Sequence, residues 1–293
     1  DTAEAIRAAL IEAGFDAGMI NIAPFYADTL RMGLEKGADV FTILMRTSQP
    51  EDAAAFEQWS TTLSESMRVY RVTPKAETPV NAYAYPALTP RGTGVHEVQS
   101  LPEADKALDQ IRQSLIAQYG GEYDYEEFSA RIAVPEGMTG YLNDENAQGD
   151  NRDTSYLMTN DFTLNSDEDF VVVYGVNHVA AGKATYANTV LYARPRLNGI
   201  VSLYDSMYGD SAAEYLPDVD SSKYYVLKMA RTALDSYTAV IPYSTDNPNG
   251  RFYGADNGTQ LLIAYRAYVE PETGVGPSYY EIVYDRAIVF HKK

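Results

Sequence analysis

Four polar side chains around a predicted hairpin are the residues of this sequence best suited to chemistry. His178 ends an apolar, strand-like run, Lys183 follows in a loop that contains glycine, and Tyr186 and Asn188 lie on the return strand. If the two strands pair, the hairpin brings a titratable imidazole, a cation and two hydrogen-bonding groups to one edge. We therefore predict that these four residues bind a ligand. A polar loop that caps the sheet is the alternative interpretation.

Other signatures of catalysis are absent from the sequence. His96 and His291 show no metal-binding spacing, and there is no GxSxG elbow, no GxGxxG turn after a strand and no phosphate-binding P-loop. Carboxylate pairs for glycoside hydrolysis have no sequence signature, because their spacing is spatial. The catalytic residues are therefore unknown. A non-catalytic binding protein is the first hypothesis, and a hydrolase in which carboxylates or His178 act as general acid and base is the alternative.

An acidic stretch contains oxygen ligands of the kind that Ca²⁺ prefers. It includes Asp144, Glu145, Asp150 and Asp153. Their spacing is not that of the twelve-residue calcium loop, and a basic residue intrudes, so we interpret residues 135–154 as a solvated loop or linker. We expect no cofactor, with calcium at these four residues as the alternative.

Net charge limits the partners of the chain. The 293 residues include 41 acidic and 23 basic side chains, which gives a net charge of −18 at pH 7. Phosphate backbones and anionic membranes repel such a surface, so we expect no nucleic acid. No apolar run reaches the roughly 18 residues of a membrane span, so we expect no transmembrane segment. The remaining partners are a protein, a peptide or a glycan.

The composition also bears on the compartment. The chain has no cysteine, which excludes disulfides and thiolate chemistry. Acidity together with many Tyr, Asn and Thr residues favours an extracytoplasmic protein, either periplasmic or secreted. The sequence opens without a basic and then apolar leader, so we expect any targeting peptide to have been removed or never to have existed.

The distribution of tyrosine predicts a change of fold type along the chain. Of 25 tyrosines, 21 lie at or after Tyr119. Aromatic and β-branched residues in short runs favour strands. We predict an α+β protein with an N-terminal α/β domain at 1–136, whose core at 39–134 is ferredoxin-like (βαββαβ). An antiparallel, jelly-roll-like β-sandwich domain is predicted at 137–293.

Two capped helices support the first domain. Ser48 and Ser100 each open a Ser-x-Pro-Glu capping box, in which the serine and the glutamate satisfy free N–H groups. Apolar stripes at helical spacing follow each box: Phe56, Trp59, Leu63 and Met67 after the first, and Ala104, Leu108, Ile111 and Leu115 after the second. Strands are predicted at 39–46, 68–73, 80–85 and 128–134.

The second half of the sequence is predicted to form a series of strands separated by turns. They are predicted at 155–162, 170–177, 184–193, 224–229, 239–243, 261–269 and 281–291, with a short helix at 211–216. Asp285 and Arg286 point to opposite faces of the last strand, so a buried one of the two is expected to have a structural partner. Two tyrosine groups could be recognition surfaces: Tyr119, Tyr123 and Tyr125, and the pair Tyr279 and Tyr280.

Overall fold

The computed structural model describes residues 2–22, 52–72, 89–133, 152–246 and 252–293. The chain divides into two compact units, residues 1–88 and 89–293. The sequence predicts a boundary between 136 and 137 instead. The observed division lies earlier because the helix at 104–119 packs on strands formed by later residues, and the strand at 123–129 pairs with the last strand of the chain.

The described part of the first unit is helical. It contains α1 (Thr2–Glu12), a 3₁₀ turn (Ala17–Met19), α2 (Ala53–Thr61) and α3 (Leu63–Ser66). Asp52 caps α2, because its carboxylate accepts a hydrogen bond from the Ala55 N–H at 2.9 Å. The predicted cap at Ser48 and the strands at 39–46 and 80–85 lie outside the described residues. Residues 68–72 form no strand.

Among the residues that the structure describes, the second unit contains two α-helices, 3₁₀ turns at Asp205–Met207 and Ser221–Lys223, and thirteen strands. In chain order the α-helices and strands are α4 (Glu97–Ser100), α5 (Ala104–Tyr119), β1 (Tyr123–Ser129), β2 (Arg131–Ile132), β3 (Thr154–Met158), β4 (Phe162–Thr163), β5 (Phe170–Val176), β6 (Tyr186–Ala193), β7 (Asn198–Tyr204), β8 (Tyr224–Ala230), β9 (Thr238–Val240), β10 (Thr245–Asp246), β11 (Phe252–Tyr253), β12 (Gln260–Tyr268) and β13 (Arg286–Lys292).

Most of these strands form two sheets, and one helix covers the first sheet. Sheet A has the order β1-β13-β5-β8-β9, and sheet B has the order β2-β3-β12-β6-β7 with β4 also paired to β12. The pairs are antiparallel except for β8 with β9. One core lies between the sheets and includes Val171, Leu191 and Ile263. A second core, with Leu108 and Phe290, lies between α5 and sheet A. The layers are therefore helix, sheet A and sheet B.

The α+β class and the β-rich second half are confirmed, but the ferredoxin-like arrangement is not. The strands near 128–134 pair with later strands, since β1 lies beside β13 and β2 lies beside β3. An alternating apolar pattern predicts a half-buried strand without specifying its neighbour, which explains the difference. None of the helices in the described ranges combines the length and the hydrophobicity that a membrane span requires.

The helix predicted after the second capping box forms, but its predicted cap is wrong. The stripe residues Ala104, Leu108, Ile111 and Leu115 are all buried, as predicted. The Ser100 hydroxyl donates instead to the Glu97 carbonyl at 3.0 Å, within α4. Because Leu101 precedes a proline, an α conformation is disfavoured there. The helical path is interrupted at that residue (φ −130°, ψ 66°), and α5 begins only at Ala104.

Of the seven strands predicted in the second half, the one at 155–162 is divided into β3 and β4, and the one at 239–243 is shortened to β9. Those at 170–177, 184–193, 224–229 and 261–269 are confirmed within two residues as β5, β6, β8 and β12. The prediction lacks β7, because Asn198-Gly199 resembles a turn, whereas the turn precedes it and places Leu197 at φ 48°. The last strand begins at Arg286 rather than 281, and residues 211–216 form turns instead of a helix.

Candidate functional site

His178, directly after β5, is buried between two carboxylates. Its Nδ1 lies 2.7 Å from Glu97 Oε1, and its Nε2 lies 3.6 Å from Asp285 Oδ2. Glu97 also accepts a hydrogen bond from the Val283 N–H at 2.7 Å, and Asp285 accepts one from the Tyr225 hydroxyl at 2.5 Å. The cluster therefore ties the end of β5 to α4 and to the segment before β13. It also confirms the prediction that a buried Asp285 has a structural partner.

The charge state of His178 follows from these neighbours. Only 4% of the residue is exposed. Burial opposes charge on the imidazole, but the negative charges of Glu97 and Asp285 outweigh burial and raise the pKa of His178 well above its ordinary value. At neutral pH the ring is therefore an imidazolium with a proton on each nitrogen. It has no lone pair with which to accept another proton, so it is unsuited to act as a general base.

A glycine and two tyrosines at the end of the inter-sheet core surround the Asp285 side of this cluster. A Cβ atom on Gly175 would overlap Asp285 Oδ1 and crowd the ring of Tyr225. The rings of Tyr225 and Tyr208 stack with centroids 4.3 Å apart. Burial, followed by the charge of Asp285, raises the pKa of Tyr225 well above its ordinary value, so the phenol keeps its proton. Neutral aromatic side chains thus cover the cluster on the side of Asp285.

Lys183 lies in a second buried ion cluster. Its Nζ is 2.6 Å from Glu270 Oε1, 2.7 Å from Glu281 Oε2 and 3.2 Å from the Thr93 hydroxyl. Burial opposes the ammonium charge, but the hydrogen bonds to the two carboxylates outweigh it and raise the pKa of Lys183. Burial likewise opposes charge on Glu281, yet Lys183 and the backbone N–H groups of Thr93 and Gly94 lower its pKa. Lys183 and Glu281 are therefore both charged at neutral pH.

The two clusters hold one chain segment in place. The Glu97 N–H donates to the Glu281 carbonyl at 2.8 Å, and the Lys183 N–H donates to the His178 carbonyl at 2.8 Å. At the start of the segment, Arg91 Nη2 donates to the Thr154 carbonyl at 3.0 Å. We call the clusters of His178 and Lys183 together the ionic clamp, because they fix residues 91–97 to the two-sheet body.

Tyr186 and Asn188 lie elsewhere, on the outer face of sheet B. In the strand register, Arg266 of β12 is opposite both Tyr156 of β3 and Asn188 of β6, and Asn188 is opposite Tyr204 of β7. Directly paired residues share a face of the sheet. These side chains therefore form a row on the side away from the inter-sheet core. The outward-facing residues Tyr156, Tyr186, Asn188, Tyr192, Tyr204, Arg266 and Tyr268 are called the tyrosine face below.

Arg266 is held at the centre of the tyrosine face. Its guanidinium carbon lies 5.1 Å from the ring centroid of Tyr156 and 5.4 Å from that of Tyr192. Its Nη2 donates to the Tyr192 hydroxyl at 2.6 Å, and its Nη1 donates to Asn188 Oδ1 at 3.2 Å. The Asn188 amide in turn donates to the Tyr186 hydroxyl at 3.1 Å. Neutral groups thus orient the cation of this surface.

The tyrosine rings form a continuous, partly exposed platform. The Tyr186 ring lies 5.3 Å from that of Tyr268 and 6.0 Å from that of Tyr204, measured between centroids. Burial, with a contribution from Tyr156, raises the pKa of Tyr268 to about 12, so its hydroxyl is protonated at neutral pH. A protonated phenol both donates and accepts hydrogen bonds. The platform can therefore stack on a ligand and bond to hydroxyl or amide groups.

A shallow depression of about 480 Å³ lies elsewhere on the second unit. Its lining includes His96, Asp105, Ser129, Tyr284 and Arg286. The His96 ring caps α4 by accepting from the Val98 N–H at 3.1 Å, and Arg286 Nη2 lies 3.6 Å from Asp105 Oδ1. These polar groups of the depression are thus already engaged with neighbouring residues, and His178 does not line it.

The remaining predicted sites are distributed as follows. Asp144, Glu145 and Asp150 lie outside the described residues, whereas the Asp153 carbonyl accepts from the Val269 N–H at 2.8 Å. Within the described ranges, no group of three or more His, Asp or Glu side chains could hold a metal ion. The possible calcium site therefore stays a prediction.

The two predicted tyrosine groups have different surroundings. Tyr119 and Tyr123 pack edge to face on Phe170, with centroids 4.9 and 5.2 Å away, as part of the core under α5. The Tyr279 hydroxyl accepts from the Tyr156 N–H at 3.2 Å, whereas Tyr280 is 84% exposed. The first group thus contributes mainly to packing.

Sequence reasoning missed most of the partners of the four predicted residues. Glu97 and Asp285 are 81 and 107 positions from His178, so no local motif could join them to it. A signal for Arg266 did exist, because it is the one charged residue inside the otherwise apolar or aromatic run 261–269. A charge on a predicted half-buried strand implies a polar outer face.

Comparison with known proteins shows a partial similarity to two curated proteins. No protein-family model matches the chain. The probable ribonuclease FAU-1 of Pyrococcus horikoshii and that of Pyrococcus abyssi are each 30% identical to this chain over 111 residues. The match covers 36% of this chain and 22% of each relative, so the chain spans about a fifth of the length of the curated relatives it matches.

Proposed function

We propose that this chain is a non-catalytic, extracytoplasmic binding protein that recognises a glycan or a peptide at the tyrosine face. The observation that carries the proposal is the row of Tyr156, Arg266, Asn188 and Tyr204, which lie at paired positions of four adjacent strands. Rigid amphipathic rings around an oriented cation are a common basis for recognition.

The four residues predicted to bind ligand divide between two roles in this proposal. Tyr186 and Asn188 belong to the tyrosine face, where Tyr186 contacts the ligand and Asn188, which is 9% exposed, holds Tyr186 and Arg266 in place. His178 and Lys183 belong to the ionic clamp, where each is bonded to buried carboxylates. They support the unit that carries the face without touching the ligand.

A hydrolase that uses His178 is the less supported alternative. A general base must reach a substrate proton and must hold a free lone pair. His178 is covered, and its charge is matched by Glu97 and Asp285. Both properties suit a structural ion pair better than a catalytic acid or base.

An RNA-binding role calls for a direct test because the two partial relatives are named as probable ribonucleases. The net charge of −18 argues against it, since affinity for a phosphate backbone depends on basic side chains. RNA is therefore included as a competing ligand in the experiments below.

The extracytoplasmic location is supported by the acidic, cysteine-free composition alone. Fractionation of the source cells with an antibody against the chain tests it. We expect the signal in the periplasm or the medium, and a signal confined to the cytoplasm would contradict the location.

Screening against glycan and peptide arrays, followed by thermal-shift titration of the hits, tests the proposed function. We expect at least one hit that raises the melting temperature of the wild-type protein and does not raise that of Arg266→Ala. The matched control is Arg112→Ala, because Arg112 is also an arginine but pairs with Glu127 at 2.5 Å, on the helix side of sheet A. If neither array gave a hit, or if the hits responded equally to both substitutions, binding at the tyrosine face would be contradicted.

A further inference from the structure

From the chemistry of the tyrosine face we infer that its ligand is a neutral oligosaccharide that lies across strands β3, β12, β6 and β7. The inference rests on the proposed function and narrows it to one class of ligand. Its basis is the shape, polarity and charge of the face, which together match a short chain of uncharged sugar rings.

The shape of the face favours an extended ligand. Tyr156 and Tyr204 stand at the two ends of the row, and Arg266 and Asn188 lie between them. Neighbouring strands are about 4.8 Å apart, so the three spacings of the row span about 14 Å. A tyrosine ring at each end and polar groups in the middle would hold several consecutive rings of one oligosaccharide.

The polarity of the face matches hydroxyl groups. Sugar rings have apolar C–H faces that pack on aromatic rings and hydroxyl rims that donate and accept hydrogen bonds. The Tyr186 and Tyr192 hydroxyls and the Asn188 amide lie within one bonded network around Arg266. The network fixes these groups before a ligand arrives, which reduces the entropy lost on binding.

A peptide fits the face less well. Extended peptides commonly add to the free edge of a sheet, where backbone N–H and C=O groups are available. In sheet B, β12 and β6 are interior strands with a neighbour on each side. Their backbone groups are engaged in the ladders, so a ligand on this face meets side chains alone. Flat stacking on rings suits sugars in this position.

Charge separates a neutral glycan from polyanions. Among the seven residues of the tyrosine face only Arg266 is charged, and its guanidinium is already bonded to Tyr192 and Asn188. Arg131 of β2, on the same side of sheet B, donates to Asn160 Oδ1 at 3.0 Å. The whole chain carries a net charge of −18, which repels polyuronates and nucleic acids over the range of the Debye length. A ligand without charge avoids that repulsion.

Buried aliphatic residues lie beside the rings on the same side of sheet B. Val190, Leu262 and Ala264 alternate with core-facing residues, so they lie on the outer side of sheet B, and each is at most 7% exposed. In the strand register they lie in the next two rows after the row that contains Arg266 and Asn188. A preorganised aromatic platform binds sugars with little loss of side-chain freedom.

Isothermal titration calorimetry on the full chain tests the inference with six named probes. Cellohexaose, xylohexaose and mannohexaose are the neutral probes. Hexagalacturonate, a mixed pentapeptide library and single-stranded poly-uridine represent acidic glycans, peptides and RNA. We expect binding of at least one neutral hexasaccharide and an affinity lower by about tenfold or more in Tyr156→Ala and in Tyr204→Ala, since each removes an end of the platform.

Tyr125→Ala is the matched control, because Tyr125 is also a partly exposed strand tyrosine (43%) but lies on β1 of sheet A beside Phe290. We expect its affinity to change less than about twofold, as is usual for residues outside a contact surface. A measurement that needs no variant checks the same point. A bound hexasaccharide should protect Tyr156 and Tyr204 from nitration by tetranitromethane, read by mass spectrometry, and leave Tyr125 reactive.

The outcomes separate the inference from the proposed function. Binding of hexagalacturonate or the peptides, with loss in Tyr156→Ala and Tyr204→Ala, would overturn the neutral glycan and leave the proposed function standing. Binding of poly-uridine alone, or of no probe, would overturn both. If a neutral hexasaccharide bound equally to the wild type and the two variants and did not protect the two tyrosines, the tyrosine face would not be its binding site.

Discussion

His178 and Arg266 are both cations enclosed by polar and aromatic side chains, but their surroundings differ in charge and exposure. His178 lies between the carboxylates of Glu97 and Asp285 and is 4% exposed. Arg266 is bonded to the neutral groups of Asn188 and Tyr192 on an outer sheet surface. A deeply buried cation needs counter-charges because desolvation is costly, whereas a cation near water can be held by neutral partners. We therefore expect substitutions in the ionic clamp to lower stability and those in the tyrosine face to lower binding.

The largest effect is expected from Glu97→Leu. This change leaves an imidazolium with a single carboxylate and the Val283 N–H without its acceptor. Breaking a buried ion pair by removing one partner costs about 3–5 kcal/mol. We expect the free energy of unfolding in urea to fall by that amount. The near-ultraviolet circular dichroism of tyrosine is the suitable signal, because 21 of the 25 tyrosines lie at or after Tyr119.

Glu103→Leu is the control for that change. Glu103 is also a glutamate beside a helix, but its side chain is 60% exposed and pairs with the exposed Lys106 at 3.0 Å. Exposed pairs of this kind contribute less than about 1 kcal/mol. If Glu97→Leu destabilised the protein no more than Glu103→Leu, the clamp would not be a structural device. The contrast with the tyrosine face would then fail.

A smaller loss of stability is expected from Lys183→Met. The substitution keeps an unbranched apolar stem but leaves Glu270 and Glu281 facing each other without their shared cation. Glu281 keeps the N–H groups of Thr93 and Gly94, so part of its charge stays satisfied. We expect a loss of about 2–3 kcal/mol in the same urea experiment. Lys106→Met, at a lysine with 81% side-chain exposure, should change stability by less than about 1 kcal/mol.

The pH dependence of stability shows whether His178 is charged or neutral in the folded protein. The folded-state pKa of His178 is raised above its unfolded value of about 6.5. Its contribution is therefore fully present below about pH 6.5 and is lost as pH rises through the folded-state pKa. The slope of this loss is at most about 1.4 kcal/mol per pH unit for one proton.

Comparison with His178→Gln cancels the titrating groups that lie away from the cluster, because these are common to both proteins. We expect the difference in unfolding free energy between wild type and variant to shrink as the pH is raised from 6.5. A difference that stayed constant or grew with pH would show that the ring is neutral in the folded protein. The clamp would then resemble the neutral network around Arg266, and the comparison would need revision.

Local patterns of the sequence predict the elements of the two regions far better than their partners. The stripe from Ala104 to Leu115 predicts a buried helix face, and the apolar run from Phe170 predicts a strand, which the structure shows buried along its whole length. Each follows from periodicity or from a short composition bias. Strand partners are not encoded locally, so the pairing of β1 with β13 across more than 150 residues could not be predicted.

The same limit explains the candidate site. The predicted hairpin of β5 and β6 would bring His178, Lys183, Tyr186 and Asn188 to one edge, but β5 and β6 belong to different sheets. The loop between them crosses from sheet A to sheet B, which separates the first two residues from the last two. An apolar strand followed by a loop and another strand indicates a connection, and it does not show whether the two strands share a sheet.

The smallest effect is expected from Tyr192→Phe, which tests one hydrogen bond within the tyrosine face. The change removes the hydroxyl that accepts from Arg266 Nη2 at 2.6 Å and keeps the ring under the guanidinium. Loss of one partly exposed hydrogen bond should lower the free energy of unfolding by about 1 kcal/mol. The affinity for a neutral hexasaccharide should change less than about threefold, because the stacking ring remains. A loss of several kcal/mol would mean that Arg266 depends on its partners as His178 depends on Glu97, and the two regions would then serve the same structural purpose.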